Sequence, residues 1–457
     1  MNLYNETLKS VMDDTEVESI IHWISQKNRS VEVNVKRISF DELKLWAFQN
    51  GELIHETGKF FRVQGLNVKT NYGEIYEWDQ PIINQDEVGY LGFIMSKIDG
   101  VLKFLVQAKV EPGNINNVQL SPTIQATKSN YSQVHKGRVP YYLDFFRNVK
   151  KKNILVDQLH SEQGSRFLKK RNRNIIIYVE ENIKLFDNFK WVSLGQLNKL
   201  LQLDNIVNMD ARTVLSCIQY RCHYDYENHT YLMFDESKIF INSYVNKNSQ
   251  NTIQDILFFL TNQKFTYNLH VFKKNLNEIK NWSIKKDEIT HLTKNYFKVI
   301  AVDVTIEGRE VSKWTQPMIQ PAQNGLCVFI CKHINNILHF AVQAKVECGS
   351  FDTLELAPTI QTLICDNKIY SEEDLPFINI VRERKGEIIH DSHQSEEGGR
   401  FFKEQNRNMI ILTNDVSEKL PKKFVWMTLY QLNYFTKFSN VLNIQARNLI
   451  SVIPYDR

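Results

Sequence analysis

Two stretches of this chain alternate apolar and polar residues in the same way. Residues 106–125 read VQAKVEPGNINNVQLSPTIQ and residues 342–361 read VQAKVECGSFDTLELAPTIQ, at a constant offset of 236. In the first, Phe104, Val106, Ala108 and Val110 fall on one face of a strand, and Gln107, Lys109 and Glu111 on the other. After the Pro112-Gly113 turn signal, Val118, Leu120, Pro122 and Ile124 alternate with Gln119, Ser121, Thr123 and Gln125, predicting a second strand over 118–125. The later copy repeats the polar face with Gln343, Lys345 and Glu347, then Glu355, Thr359 and Gln361. Core packing explains an apolar face kept after duplication. The polar face has two readings: it meets water, as half of an antiparallel sheet does, or it is a working surface. Water gives no reason for Gln, Lys, Glu, Thr and Gln to return at fixed places, which favours the second.

The duplication runs far beyond these strands. Trp46 matches Trp282, His55 matches His291, Phe61 matches Phe297, and WDQP at 78–81 matches WTQP at 314–317, all at 236. Helical spacing of apolar residues appears at 16–28 and again at 252–264. Downstream, SEQGSRF at 161–167 matches SEEGGRF at 395–401 at 234, and Ala211-Arg212 matches Ala446-Arg447 at 235. Such slips belong in surface loops, here between 126 and 160 and near 180–190. Residues 174–181 and 408–415 read as buried strands, and WVSLGQLNKLLQ with its counterpart reads as a helix that Ser193 or Thr428 caps. The pattern predicts α+β domains of strands flanked by helices, at 1–228 and 249–457 with a linker at 229–248, packed as a pseudo-dimer.

Composition narrows the class. A chain of 457 residues fits two domains of about 200, and 42% hydrophobic with 24% charged residues is that of a soluble globular protein. No apolar run reaches 18 residues, so no membrane span is expected. The first 30 residues carry Asp13, Asp14, Glu16 and Glu18 and no apolar core, so no secretory signal is expected. A formal charge of +4 does not argue for nucleic acid, and the basic runs at 150–152 and 169–173 read as solvated loops. Six cysteines without a CxxC pair read as reduced thiols of a cytoplasmic protein, with no structural zinc.

WDQP, VQAKVEPGN, LSPTIQAT followed by SNY, SEQGSRF with RNRN, and the twofold repeat together resemble the NDP-hexose 2,3-dehydratase family of deoxysugar biosynthesis. The resemblance covers nearly the whole chain. It implies a lyase acting on a nucleotide-linked 4-keto-6-deoxyhexose, typically the dTDP sugar, without a redox cofactor. It also implies two tandem Nudix-like α+β domains of mixed sheet and a homodimer. The metal-binding Nudix helix, REUxEExGU, is absent from both copies, and Ser395-Glu396-Glu397-Gly398 is only a fragment of it.

The implied reaction removes water across C2 and C3, driven by the C4 ketone that makes the C3 proton acidic. It needs a base at C3, donors for the O4 enolate and an acid for the departing C2 hydroxyl; a metal is not obligatory. Glu111 is the expected base and Glu347 its counterpart, with Lys109 and Lys345 two residues away, roughly 6.5 Å along a strand. These lysines serve the enolate or diphosphate, or form surface ion pairs of about 0–1 kcal/mol. His55 and His291 suit proton transfer or cap a turn, and Glu162 and Glu396 are alternative acid or base groups. Arg166 and Arg400 suit a bidentate hold on phosphate, with Arg173, Arg407, Arg212 and Arg447 behind them. Trp78 and Trp314 stack on the substrate or belong to the core; Gln80, Gln316, Gln107, Gln343, Thr123, Thr359, Gln125 and Gln361 supply polar contacts. Asn130, Tyr131 and His135 have no counterparts in the second copy, which favours the first copy as the catalytic one. The resemblance further implies a C3-ketoreductase that consumes the unstable product. Two rivals stand beside this reading: a metal-dependent Nudix-type hydrolase of nucleoside diphosphate linkages, and a non-catalytic sugar-nucleotide-binding protein.

Overall fold

The computed structural model describes residues 9–131, 139–218, 224–225, 230–231, 239–245, 248–307, 311–364 and 370–454. The chain is α+β, and each repeat contributes one small sheet and one seven-stranded mixed sheet. In the N-terminal repeat, Trp46–Gln49, Glu52–His55, Arg62–Thr70 and Glu77–Asn84 build the small sheet. Gly89–Ile98 and Val101–Val110 lie inside the large one, where Arg171–Tyr178 pairs in parallel with Gly89–Ile98. Lys298–Ile306, Lys313–Gln320, Gly325–Ile334 and Ile337–Lys345 repeat this plan.

The repeats trade their first strands. Val33–Ile38 pairs antiparallel with Lys298–Ile306 of the other repeat, and Leu269–Lys274 pairs with Arg62–Thr70. Val33 and Val35 thereby pack against buried Val302, Val304 and Ile306. The exchange is locked by two indoles: Trp46 donates to the Thr315 carbonyl at 3.0 Å, and Trp282 to the Asp79 carbonyl at 2.7 Å. One joint core joins the halves, taking Phe93, Phe104 and Leu197 from the first and Phe329, Phe340 and Leu432 from the second.

The expected strand over 118–125 is in fact two. Val118–Ser121 pairs with Val101–Val110, then the chain shifts and Ile124–Ala126 pairs with Gly89–Ile98. Pro122 has no N–H for a ladder, and the Thr123 hydroxyl replaces it, accepting from Ile94 N at 2.9 Å and donating to the Leu105 carbonyl. Thr359 does the same between Ile330 N and the Ala341 carbonyl. Both threonines are therefore joints of the sheet, and neither lines the cavity described below. Gln343 likewise spends its amide on the Pro358 carbonyl at 2.9 Å, and Glu355 takes a hydrogen bond from Ser161 at 2.8 Å. Ser193 and Thr428 cap their helices as expected, each accepting from the N–H three residues on, but Trp191 and Val192 belong to the preceding strand.

Within the expected linker, Ile239–Val245 is a helix built into the core: the Ser243 hydroxyl accepts from Leu429 N at 2.9 Å and donates to the Leu338 carbonyl at 2.6 Å. Ser10 gives the same acceptor to Leu194 N at 2.8 Å in the first repeat. Arg212 and Arg447, candidate phosphate ligands, are 1% exposed and do not line the cavity described below. Each reaches across the pseudo-twofold, to the Ser395 and Ser161 carbonyls respectively, at 2.6 Å.

The repeats also meet backbone on backbone. Gly113 N donates to the Gly398 carbonyl at 2.8 Å, and a Cβ added at Gly113 would lie 1.7 Å from the Phe401 carbonyl oxygen. Gly349 mirrors this at 1.8 Å from the Phe167 oxygen. Gly113→Ala is expected to cost more than about 3 kcal/mol, the top of the ordinary overpacking range; denaturant unfolding of the full chain measures it.

Candidate active site

The crossing of turns at Gly113 walls off a cavity of about 560 Å³ that neither repeat owns alone. The N-terminal repeat supplies Lys109, Glu111, Gln125, Glu162, Lys170 and Asp210, and the C-terminal repeat Trp314, Gln316, Glu397 and Arg400. Of the polar face predicted on the first ribbon, Lys109, Glu111 and Gln125 line this space, so that part of it meets a cavity and not bulk water.

Glu111 is 5% exposed and firmly held. Gln125 donates to it at 2.8 Å, Asn208 in turn donates to the Gln125 amide oxygen at 3.0 Å, and the Lys109 ammonium lies 3.8 Å away. The same ammonium donates to the Gln125 carbonyl at 3.1 Å. Glu162 accepts from Asn172 at 2.7 Å, while its other oxygen is buried with no partner. Burial raises the Glu162 carboxyl, against Arg447, Lys170 and that hydrogen bond. Burial lowers the Lys170 ammonium, opposed by Glu162 and Glu87.

Lys170, Asp210 and Glu397 line the wall and were not among the sequence candidates, nor were the charged wall residues Lys44, Asp303 and Lys313. Asp210 stands in the first turn of Met209–Leu215, and burial with Glu162, Glu397 and Glu111 nearby pushes its carboxyl well above the usual range. Enclosure pushes Glu397 up to about 8 against the pull of Arg400, with Glu111 and Glu162 adding to the rise. Among the described residues, no group donates a hydrogen bond to either carboxyl. A signal for them existed in the duplication: Lys170, Asp210 and Glu397 correspond to Glu404, Gln445 and Gln163, a disagreement in charge also seen at the wall residues Asp303 and Lys313, which correspond to Asn67 and Glu77.

The remaining candidates divide. Arg400 lines the cavity and Arg166 holds the corresponding place in the first repeat, each stacked 4.2 Å over a phenylalanine of the other repeat, Phe61 and Phe297. Arg173 and Arg407 are not in either place: they form surface pairs with Asp157, at 2.6 and 2.7 Å, and with Asp391, at 2.7 and 2.5 Å. His55 borders the cavity yet caps its turn, accepting from Thr57 N at 3.3 Å, and His291 repeats this with Thr293 at 3.2 Å. Trp78 packs with Leu66, Val68 and Ile82 and bonds Gln80, whereas the matching Trp314 and Gln316 line the first cavity. Gln107 lies in the strand pair with Phe189 and outside the cavity wall. Tyr131 contacts Tyr90 at 5.4 Å, away from that wall; the Asn130 side chain and His135 lie outside the described residues. In the second repeat Lys345, Glu347 and Gln361 keep their geometry, with Gln361 donating to Glu347 at 3.0 Å. There the Glu396 carboxyl is met by Asn406 and, at 3.0 Å, by Gln445. Among the described residues no three His, Cys, Asp or Glu side chains converge to hold a metal ion.

A sequence profile described as NDP-hexose 2,3-dehydratase matches residues 17–218 and 253–453, one match per repeat. The chain belongs to the NDP-hexose 2,3-dehydratase family. Three relatives carry the name dTDP-4-dehydro-6-deoxy-alpha-D-glucopyranose 2,3-dehydratase. The one from Saccharopolyspora spinosa is 42% identical over 94% of this chain and 89% of its own length. Those from Amycolatopsis orientalis and Streptomyces violaceoruber are 35% and 34% identical, over 95% and 94% of this chain and 90% and 95% of their own. A solved structure titled an ADP compounds hydrolase aligns with 29% of this chain and 70% of its own at 17% identity, with a TM-score of 0.20, too slight a likeness to carry an argument.

In this member of the family, Asp210 is expected to hold its proton at neutral pH, since burial opposes its charge. An infrared difference spectrum at pH 7 between the native protein and Asp210→Asn should show the loss of one protonated-carboxyl band. Its absence would mean that Asp210 is ionised.

Proposed function

We propose that the chain eliminates water across C2 and C3 of a dTDP-4-keto-6-deoxyhexose, in the cavity that carries the N-terminal ribbon. The observation that supports this most directly is one cavity with carboxyls of two kinds. Glu111 is fixed by a donor and a nearby ammonium, and other carboxyls are enclosed without donors. An elimination next to a ketone needs both kinds, a carboxylate to take the C3 proton and an acid to give one to the C2 oxygen. Glu111 takes the C3 proton; Lys109 or Lys170 stabilises the charge that moves onto O4. Arg400, stacked on Phe61, holds the diphosphate, and Trp314 lies against the base or sugar. The names of relatives aligned across nine-tenths of the chain support the same substrate class.

In this reading the protein works as a homodimer in the cytoplasm, a compartment that suits its buried, unpaired Cys217, Cys327, Cys331 and Cys348. The product, an enol that relaxes to a 3,4-diketo-2,6-dideoxy sugar, passes to a C3-ketoreductase. The test is incubation with dTDP-4-keto-6-deoxyglucose and a C3-ketoreductase in deuterated water. The expected product lacks the C2 hydroxyl and carries deuterium at C2; unchanged sugar, or release of nucleoside monophosphate, sinks the reading. Arg400→Ala should weaken dTDP binding tenfold or more, in line with about 1.5–3 kcal/mol for a charged hydrogen bond. Arg173→Ala and Arg407→Ala, being surface pairs, should leave it within about twofold.

A further inference from the structure

Duplication supplies an internal control for every wall residue, because the same turn has been packed twice. The turn that delivers Glu397 recurs as Gln163-Gly164-Ser165-Arg166, and there the side chain is an amide. Both turns make the same backbone bonds: Gly113 N to Gly398 O at 2.8 Å, and Gly349 N to Gly164 O at 2.6 Å. The fold thus accepts a neutral amide at this position, and the carboxyl of Glu397 has no structural duty that Gln163 does not meet.

Five carboxyls face the cavity, and four are accounted for. Asp303 lies 4.0 Å from the Lys313 ammonium. Glu111 is held by Gln125. Glu162 is held by Asn172. Asp210 occupies the place from which Gln445, in the second repeat, donates to Glu396 at 3.0 Å, so by the same geometry it faces Glu162. Glu397 is left. It enters from the opposite repeat and meets Glu111 across Gly399: a Cβ added to that glycine would touch Glu397 Oε1 at 2.5 Å and Glu111 Oε1 at 3.6 Å. Two carboxyls from two repeats therefore flank one point on the wall, one with a hydrogen-bond donor and one without.

We propose that Glu397 is the catalytic acid of this site, delivering its proton to the departing C2 oxygen; the assignment rests on the elimination proposed above. The C3–H bond breaks toward Glu111, its electron pair moves into C3–C4, and the carbonyl pair moves to O4. The enolate then collapses: C4=O re-forms, C2=C3 forms and the C2–O bond breaks, with the Glu397 proton completing a water molecule. Glu111 ends as the acid and Glu397 as the carboxylate. A proton passed between these neighbours, directly or through solvent, restores the starting state without any other reactant.

The two half-steps separate experimentally. Glu397→Gln, assayed on the full chain with dTDP-4-keto-6-deoxyglucose in deuterated water, should lose turnover by about 10²–10⁴-fold. Recovered substrate should still gain deuterium at C3, because Glu111 still works. Glu111→Gln should lose both turnover and exchange. Native turnover should also fall as pH rises through about 8, where Glu397 gives up its proton among Glu111, Glu162, Asp210, Lys109, Lys170 and Arg400. Glu397→Asp should keep that alkaline fall, and Glu397→Gln should abolish it in the residual rate. Near-native turnover in Glu397→Gln overturns the assignment. So does loss of C3 exchange along with turnover while unfolding and dTDP binding stay native. If the native chain itself yields no trapped dideoxy product, the elimination falls and not merely the identity of its acid.

Discussion

Everything at this site depends on two glycines that let backbone meet backbone. At Gly113 and Gly349 the space a Cβ would need is filled by a carbonyl oxygen of the other repeat, 1.7 and 1.8 Å away. That contact brings the SEEG turn of one half against the Lys-Glu ribbon of the other. Strand exchange, the two indoles that bond across it, and the buried Arg212 and Arg447 hold the halves in that register. Buried arginines that serve carbonyls are costly to desolvate, so their geometry has to be satisfied for the halves to join at all.

The pseudo-twofold repeats one arrangement of side chains in each half, and charge makes the two unlike. The arrangement at the N-terminal ribbon carries Lys170, Asp210 and Glu397; the other carries Glu404, Gln445 and Gln163. In the second, Asn406 and Gln445 answer the carboxyl of Glu396 with Glu404 also near, while in the first Asp210 stands among Glu162, Glu397 and Glu111. Crowded carboxyls inside a protein cannot all ionise, because each charge is poorly solvated and repels the next. The result is a set of acids with separated proton affinities, the arrangement acid–base chemistry requires.

Much of the fold was legible because it rests on local physics. Alternation gave the strands, Ser193 and Thr428 gave helix starts, and the offsets gave two copies of one α+β unit. Where the reading failed, a local signal had a non-local purpose. Thr123 looked like part of a working surface because both copies keep it; it is kept because Pro122 leaves a gap in the ladder that a hydroxyl fills. Arg173 stood in a motif, RNRN, that recurs, yet it recurs with its aspartate partner in the neighbouring strand.

The sequence by itself determined the unit, its duplication, its family and the ribbon that carries Lys109, Glu111 and Gln125. Short-range pattern is enough for these, since periodicity and turn chemistry act within a few residues. Only the tertiary structure decided that the pocket is shared, so that Arg400, Trp314 and Glu397 work opposite Glu111 although more than 200 positions separate them in the chain. No pattern along the chain encodes which half a turn will lean on; that follows from strand exchange and from the glycines that permit the approach.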